Sequence, residues 1–170
     1  MNLIVAVDQN WGIGYRGELL ARVRADMKHF ASLTTGRVVV FGSKTLPTFP
    51  GGKPLKNRTN IILSRREDFK PGGAIVVHSE AELYDELKKY RPEDVFVIGG
   101  ASVYRLLLPY CNKAYITRFD KAFKADAYFP DITATGEWEL IYCSPTQTSN
   151  PDTDSEAGLT FRFCEYVRKK

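Results

Sequence analysis

Short runs of uninterrupted apolar residues, each followed by turn or helical sequence, limit what this chain can fold into more than any other feature. They are Leu3–Val7, Val38–Phe41, Ile61–Leu63, Ala74–Val77 and Val95–Ile98. A strand with one solvated face alternates apolar and polar residues, whereas an unbroken run suits a strand buried on both faces. The stretches between carry helical signals. Residues 23–34 space Val23, Met27, Phe30 and Leu33 at a helical period and stop at Thr34-Thr35-Gly36, with Gly36 in a C-cap position. Residues 79–89 open with Ser79 and, three positions on, Glu82, the spacing of a capping box. A third helix is expected near 101–108, ending at Pro109. Strands alternating with helices predict an α/β fold in three layers, α/β/α, around a mostly parallel sheet.

The last third changes character. Ala114–Phe119, Trp138–Cys143 and Leu159–Cys164 alternate more and carry aromatics, and no helical segment separates them. They are expected to close one edge of the sheet in antiparallel fashion, for about eight strands in all. Ser149–Ser155 reads as a polar hairpin loop. With no repeat, low-complexity tract or linker, the 170 residues are expected to form one domain, 1–170.

A net charge of +4 suits a small anionic ligand but is too weak and scattered for nucleic acid. Cys111, Cys143 and Cys164 are odd in number with no CxxC, which suits free thiols in a reducing compartment and gives no zinc pattern. His29 and His78 lack partners at metal-ligand spacing, and His29 falls on the polar face of its helix. No metal is therefore expected. There is no nucleophile elbow either. The first residues have no basic n-region and only a five-residue apolar run, unlike a signal peptide, and nothing approaches a membrane span. A cytoplasmic protein with no membrane partner is the expectation.

One residue interrupts the pattern of the first helix. At about 100° per residue, Asp26 falls between Phe30 and Leu33 on the apolar side, opposite Arg24, Lys28, His29 and Ser32. Two readings are open. The carboxylate is a first-turn residue favoured by the helix dipole with its head in solvent, or it is buried and hydrogen-bonded for a purpose.

Two places share the grammar of a phosphate site, a buried strand followed by glycine, small polar residues and a helix: Phe41-Gly42-Ser43-Lys44-Thr45 and Ile98-Gly99-Gly100-Ala101-Ser102. Neither is a P-loop or a G-x-G-x-x-G fingerprint. Each alone is an ordinary strand-to-helix turn; two in one sheet suit a long ligand with several phosphates, such as a dinucleotide across the strand ends. Ser64-Arg65-Arg66 follows a buried strand, so its guanidiniums emerge at a sheet end. There they are either solvated charge or the means of preferring a ribose 2′-phosphate. Arg58, just ahead of that strand, is a surface loop residue or a bidentate carboxylate holder.

Taken in order, these features resemble the dihydrofolate reductase family almost end to end, Leu3 to Val167. The resemblance rests on Ile13-Gly14, Asp26…Phe30, Gly42-Ser43-Lys44-Thr45, Arg58–Arg65, Val97-Ile98-Gly99-Gly100…Val103-Tyr104, Thr117 and Asp126…Phe129-Pro130-Asp131. It implies NADPH-dependent reduction of dihydrofolate to tetrahydrofolate by a monomer. Asp26 resembles the carboxylate that binds the pterin N3 and 2-amino group, with Thr117 its partner on a neighbouring strand. Ile4, Val5, Ala6, Met27, Phe30, Phe49, Leu55 and Ile98 match the pterin and p-aminobenzoyl pocket, and Arg58 the holder of the glutamate α-carboxylate. The NADPH groove is implied to use Ala6, Ile13, Gly14, Gly42, Ser43, Lys44, Thr45, Leu63, Ser64, Arg65, Gly99, Gly100, Ala101, Ser102 and Val103, with Tyr104 near the nicotinamide. The family's Gly-Gly is joined by a cis peptide, expected here at Gly99-Gly100.

The chain departs from the family at Leu20-Ala21, where Pro-Trp is usual, and at Leu46, where Trp is frequent. The missing indole normally covers the pterin; Trp11, at the other end of that loop, either substitutes for it or packs elsewhere. The departure leaves two other readings open: a related reductase acting on another pterin or pyrimidine-type substrate, as in the riboflavin pathway, and a non-catalytic folate-binding subunit.

Overall fold

A computed structural model describes residues Met1–Lys170. The first half of the chain supplies β1 (Asn2–Val7), β2 (Gly12–Tyr15), β3 (Glu18–Leu19), α1 (Arg24–Thr34), β4 (Val38–Gly42) and β5 (Thr59–Leu63). The second half supplies β6 (Ile75–Val77), α2 (Glu80–Leu87), β7 (Val95–Gly99), α3 (Ala101–Leu107), β8 (Lys113–Phe119), β9 (Ala127–Tyr128), β10 (Trp138–Cys143), β11 (Gln147–Thr148) and β12 (Thr160–Arg168). The main sheet runs β10-β12-β8-β1-β7-β4-β5-β6, with β11 beside β12.

Each unbroken apolar run became a parallel strand, β6 at one edge of the sheet and the other four inside it, and strand geometry then divided the side chains between two cores. Leu3, Val5, Val38, Val40, Ile61, Val95 and Val97 pack on one face with Val103 and Leu107 of α3 and Leu83 of α2. Ile4, Val39, Phe41, Ile62, Phe96 and Ile98 face the other way, against Phe30 and Leu33 of α1. This is the α/β/α layering that the alternation of strands and helices predicts.

Several expectations need correction. β8 was expected in the antiparallel group, yet it pairs with β1 in parallel, Ala6 opposite Thr117. The reversal begins one strand later, where β12 runs antiparallel to both β8 and β10. A second small sheet, β3-β2-β9, was not foreseen because its strands are too short to show a period. Cys143 and Cys164 are opposed on β10 and β12 and form a disulfide, leaving only buried Cys111 free. The expectation of free thiols failed because spacing along the chain says nothing about cross-strand register. Ser79 caps α2 as expected, accepting from Glu82 N at 3.1 Å. The Glu82 carboxylate, however, accepts from His78 N at 2.7 Å, one residue before the cap.

No helix is long and apolar enough to cross a membrane. No group of three or more His, Cys, Asp or Glu side chains is gathered as metal ligands would be.

Candidate active site

Asp26 sits in the first turn of α1 and Thr117 in the middle of β8. The Thr117 hydroxyl donates to Asp26 Oδ1 at 2.6 Å. The Asp26 residue as a whole is only partly buried, but its carboxyl is enclosed, and desolvation pushes its pKa up to about 6 despite the opposing Thr117 hydrogen bond. Of the two readings open at the level of sequence, the structure takes the enclosed one. The carboxylate has one protein partner, and its other oxygen accepts no hydrogen bond from the protein.

The apolar residues named for the pocket do not all share one place. Ile4, Ile98, Phe30, Phe49 and Leu55 gather in a single cluster beside α1, with Phe49 edge-on to Phe41 at 4.9 Å. Ala6 lies on the same face, near the start of α1. Val5 is a correction: strand alternation turns its side chain into the opposite core, so only its backbone belongs to this face. Met27 is 37% exposed and does not join that cluster. His29 is not solvated on a polar face as expected; its ring stacks on Phe163 at 4.0 Å. Arg58 lies over the Phe30 ring at 5.9 Å and donates from Nε to Lys56 O at 3.0 Å. It borders an open groove shared with Leu55, Lys53 and Lys56.

The glycine turns converge because β4 and β7 are neighbouring parallel strands, with Phe41 opposite Gly99. Ser64 and Arg65 leave the end of β5, next to β4. All three segments therefore leave the same, C-terminal, end of neighbouring parallel strands. The Gly99-Gly100 peptide is cis. A Cβ at Gly42 would lie 3.3 Å from Val103 Cγ2, a tight approach, and one at Gly100 would lie 3.4 Å from Thr45 Oγ1, so the two turns lie close together. Lys44, Arg65 and Ser102 are exposed at this end, and Ser43 and Ala101 are half-buried. Ser64 is buried, its carbonyl 2.9 Å from His78 Nδ1 and its hydroxyl accepting from Arg66 N. Ile13, Leu63, Val103 and Tyr104 line the α2–α3 face, opposite the Phe30–Leu55 cluster. Tyr104 connects the faces: its hydroxyl donates to Ile4 O at 2.7 Å.

A buried carboxylate that the sequence reading passed over organises the loop between β1 and α1. Asp8 accepts through Oδ1 from Asn10 N and Gly12 N, at 2.8 and 2.7 Å, and through Oδ2 from Phe123 N at 2.9 Å. Its signal was available as an Asp followed closely by Asn and Gly, the grammar of an Asx turn. Asp126 adds a second tie, with its N–H on Gly14 O and its carboxylate accepting from Arg16 N. Trp11 packs against Phe129 in the α2–α3 core, beneath Arg118, and does not stand over Asp26. Ala21, where the usual indole is missing, is buried with Val23, Phe119, Leu159 and Phe161, and Leu46 is buried beside Phe41.

The family model for "Dihydrofolate reductase" matches residues 1–168. The chain belongs to the dihydrofolate reductase family. It is 33% identical to the dihydrofolate reductase of Bacillus subtilis over 169 residues, covering 99% of this chain and 95% of that protein. It is also 33% identical to that of Schistosoma mansoni, covering 98% and 95%. The solved dihydrofolate reductase of Enterococcus faecalis, complexed with NADP(H) and RAB-propyl, superposes with a TM-score of 0.84 at 29% identity. That match covers 99% of this chain and 96% of the other. With this membership the chain is an oxidoreductase of the dihydrofolate reductase type, and the resemblance read from its motifs is a family relationship.

Proposed function

We propose that this dihydrofolate reductase family member reduces 7,8-dihydrofolate to 5,6,7,8-tetrahydrofolate with NADPH, and that Asp26 is its catalytic carboxylate. The observation carrying the reading is the desolvated Asp26 carboxyl, bonded by Thr117 and carried on the helix whose Phe30 and Leu33 pack in the apolar cluster. A carboxylate there accepts two hydrogen bonds from the N3 and 2-amino edge of a pterin, satisfying an anion that its surroundings otherwise penalise. Thr117 holds the acceptor in orientation. The Phe30, Phe49, Leu55, Ile4 and Ile98 surfaces receive the rings, and Arg58 takes the glutamate α-carboxylate.

The residues fit the cofactor. The two glycine turns lie close together beside Lys44, Thr45, Ser64 and Arg65, a donor set suited to phosphates. A guanidinium at Arg65 suits the ribose 2′-phosphate. When bound, NADPH supplies the hydride that reduces pterin C6, from nicotinamide C4. Tyr104 and Ile4 join the two faces where the rings would meet, so the chain's contribution there is alignment. An ionised Asp26 stabilises the N5-protonated substrate from the far side of the ring, and the N5 proton arrives through water. Each pKa unit gained by that cation corresponds to about 1.4 kcal/mol.

The test is direct. Purified protein with NADPH and dihydrofolate should consume NADPH absorbance in proportion to enzyme, and Asp26→Asn should abolish most of it near neutral pH. A folded protein that binds NADPH but shows no oxidation above background would leave a folate-binding subunit as the better reading.

A further inference from the structure

The helix that carries Asp26 begins without a cap of its own. Its N-cap residue is Val23, whose side chain accepts no hydrogen bond. The first intrahelical bond is Met27 N to Val23 O, so the N–H groups of Arg24, Ala25 and Asp26 have no partner within α1. Arg24 N instead donates to Asp154 Oδ1 at 2.9 Å, across 130 residues of sequence. Next to it, Arg22 is held on both backbone groups: its N–H donates to Ser155 Oγ at 2.7 Å, and its carbonyl accepts from Ser155 N at 3.0 Å.

Asp154 and Ser155 belong to the connection between β11 and β12, and that connection is itself braced. Asn150 N donates to Asp154 Oδ2 at 2.7 Å, and Ser149 Oγ accepts from Leu159 N at 2.9 Å. Ser149 Oγ donates to Glu156 O, and Glu156 pairs with Lys121. The Arg24 and Asn150 N–H groups also hold the Asp154 carboxyl below its ordinary range. A remote hairpin tip is thus fixed in shape and grips the residues on either side of Val23. Val23 is fully buried beside Ala21, Phe119, Leu159 and Phe161, so the same contact seats the Leu20-Ala21 segment.

We propose that Asp154 and Ser155 are positioning residues for catalysis: Asp154 caps α1 from outside, Ser155 clamps Arg22 just ahead of the helix, and together they fix the direction in which Asp26 presents its carboxylate to substrate. The proposal rests on Asp26 being the catalytic carboxylate. Asp26 is two residues beyond the capped N–H, on the turn that frays first when a cap is lost. Fraying there moves the carboxylate relative to Thr117, which is anchored by β1 and β12 on both sides. The NADPH groove, on other strands, is untouched.

The test measures kcat, the Michaelis constants and NADPH affinity for Asp154→Ala, Ser155→Ala and Asp154→Asn, per mole of folded protein and well below the midpoint of unfolding. Asp154→Ala should lower kcat about fivefold, the population change expected when a helix cap is lost. The Michaelis constant for NADPH and its dissociation constant should stay within about twofold. Asp154→Asn, an equally good cap, should restore kcat. If Asp154→Ala fails to fold, Ser155→Ala carries the same test with a loss of about threefold, since it removes a single bond. A lowered unfolding midpoint with unchanged kcat in the folded variant would overturn the proposal. So would an Asn variant as impaired as the Ala variant. If Asp26→Asn retained full turnover, the failure would lie with the assignment of Asp26 and not with the cap.

Discussion

Asp26 illustrates how one side chain can work against the stability of the fold that holds it. Its pKa is raised from 3.8 to about 6, so the native state binds the proton more tightly than the unfolded chain does. Stability from this group is therefore fully present below about pH 4, falls as pH rises through the interval, and is lost above about pH 6. The ionised carboxylate then costs up to about 3 kcal/mol. Asp26→Asn should accordingly raise the unfolding midpoint at pH 7.5, by denaturant or heat, and lose that advantage at pH 4. The same substitution should cut turnover at pH 7 by about 30-fold or more, and by less at acid pH, where substrate is protonated beforehand. Arg58 makes a different kind of prediction. Its guanidinium is partly desolvated, which pulls its pKa down, and it has no acidic partner among the ion pairs of the molecule. Arg58→Ala should raise the Michaelis constant for dihydrofolate at least tenfold, about 1.4 kcal/mol or more, with kcat little changed. An unchanged Michaelis constant would remove the glutamate-bearing substrate from consideration.

Among the elements, β12 connects the most distant parts of the molecule. It pairs with β8 through Phe163 opposite Thr117, stacks Phe163 on His29 of α1, and is joined to the edge strand β10 by the Cys143–Cys164 disulfide. The two cysteines are separated by 21 positions, and closing a loop of that length constrains the unfolded chain by about 3 kcal/mol. Reductant, or Cys143→Ser, should lower the free energy of unfolding by about that amount in a denaturant titration. Thiol titration of the unfolded protein should find Cys111 alone before reduction and all three cysteines after it. Three thiols before reduction would show that the pair is not oxidised in solution. β10 also exposes Leu140, Ile141 and Tyr142, each about half accessible, on a strand with a free edge. The disulfide anchors that edge in its register.

At the scale of the whole molecule, the proposed site draws on opposite faces of one sheet. Phe30, Phe49 and Leu55 occupy the α1 face; Leu63, Val103 and Tyr104 occupy the α2–α3 face; the glycine turns meet at the strand ends between them. A ligand held across those ends bridges segments far apart in sequence and binds only the folded state. NADPH at about 100 times its dissociation constant should add about 2.7 kcal/mol and raise the unfolding midpoint by roughly 5–10 °C. Arg65→Ala should reduce that shift for NADPH far more than for NADH, because only the former carries the 2′-phosphate.

The apolar runs by themselves determined which segments are buried strands and, through their period of two, which residues enter each core. The helical stripe placed Asp26 on the apolar side of α1, and the two glycine turns marked the ends of two buried strands. These are local properties, set by side-chain direction and backbone freedom, and they read directly from a string of residues. Pairing does not. The parallel partnership of β8 with β1, the cross-strand register that joins Cys143 to Cys164, the turning of Val5 away from the pocket and the stacking of His29 on Phe163 depend on which distant segments become neighbours. The cap that Asp154 places on Arg24 is the same kind of fact. Side-chain hydrogen bonding is satisfied by proximity in space, and a remote hairpin can supply what the adjoining sequence omits.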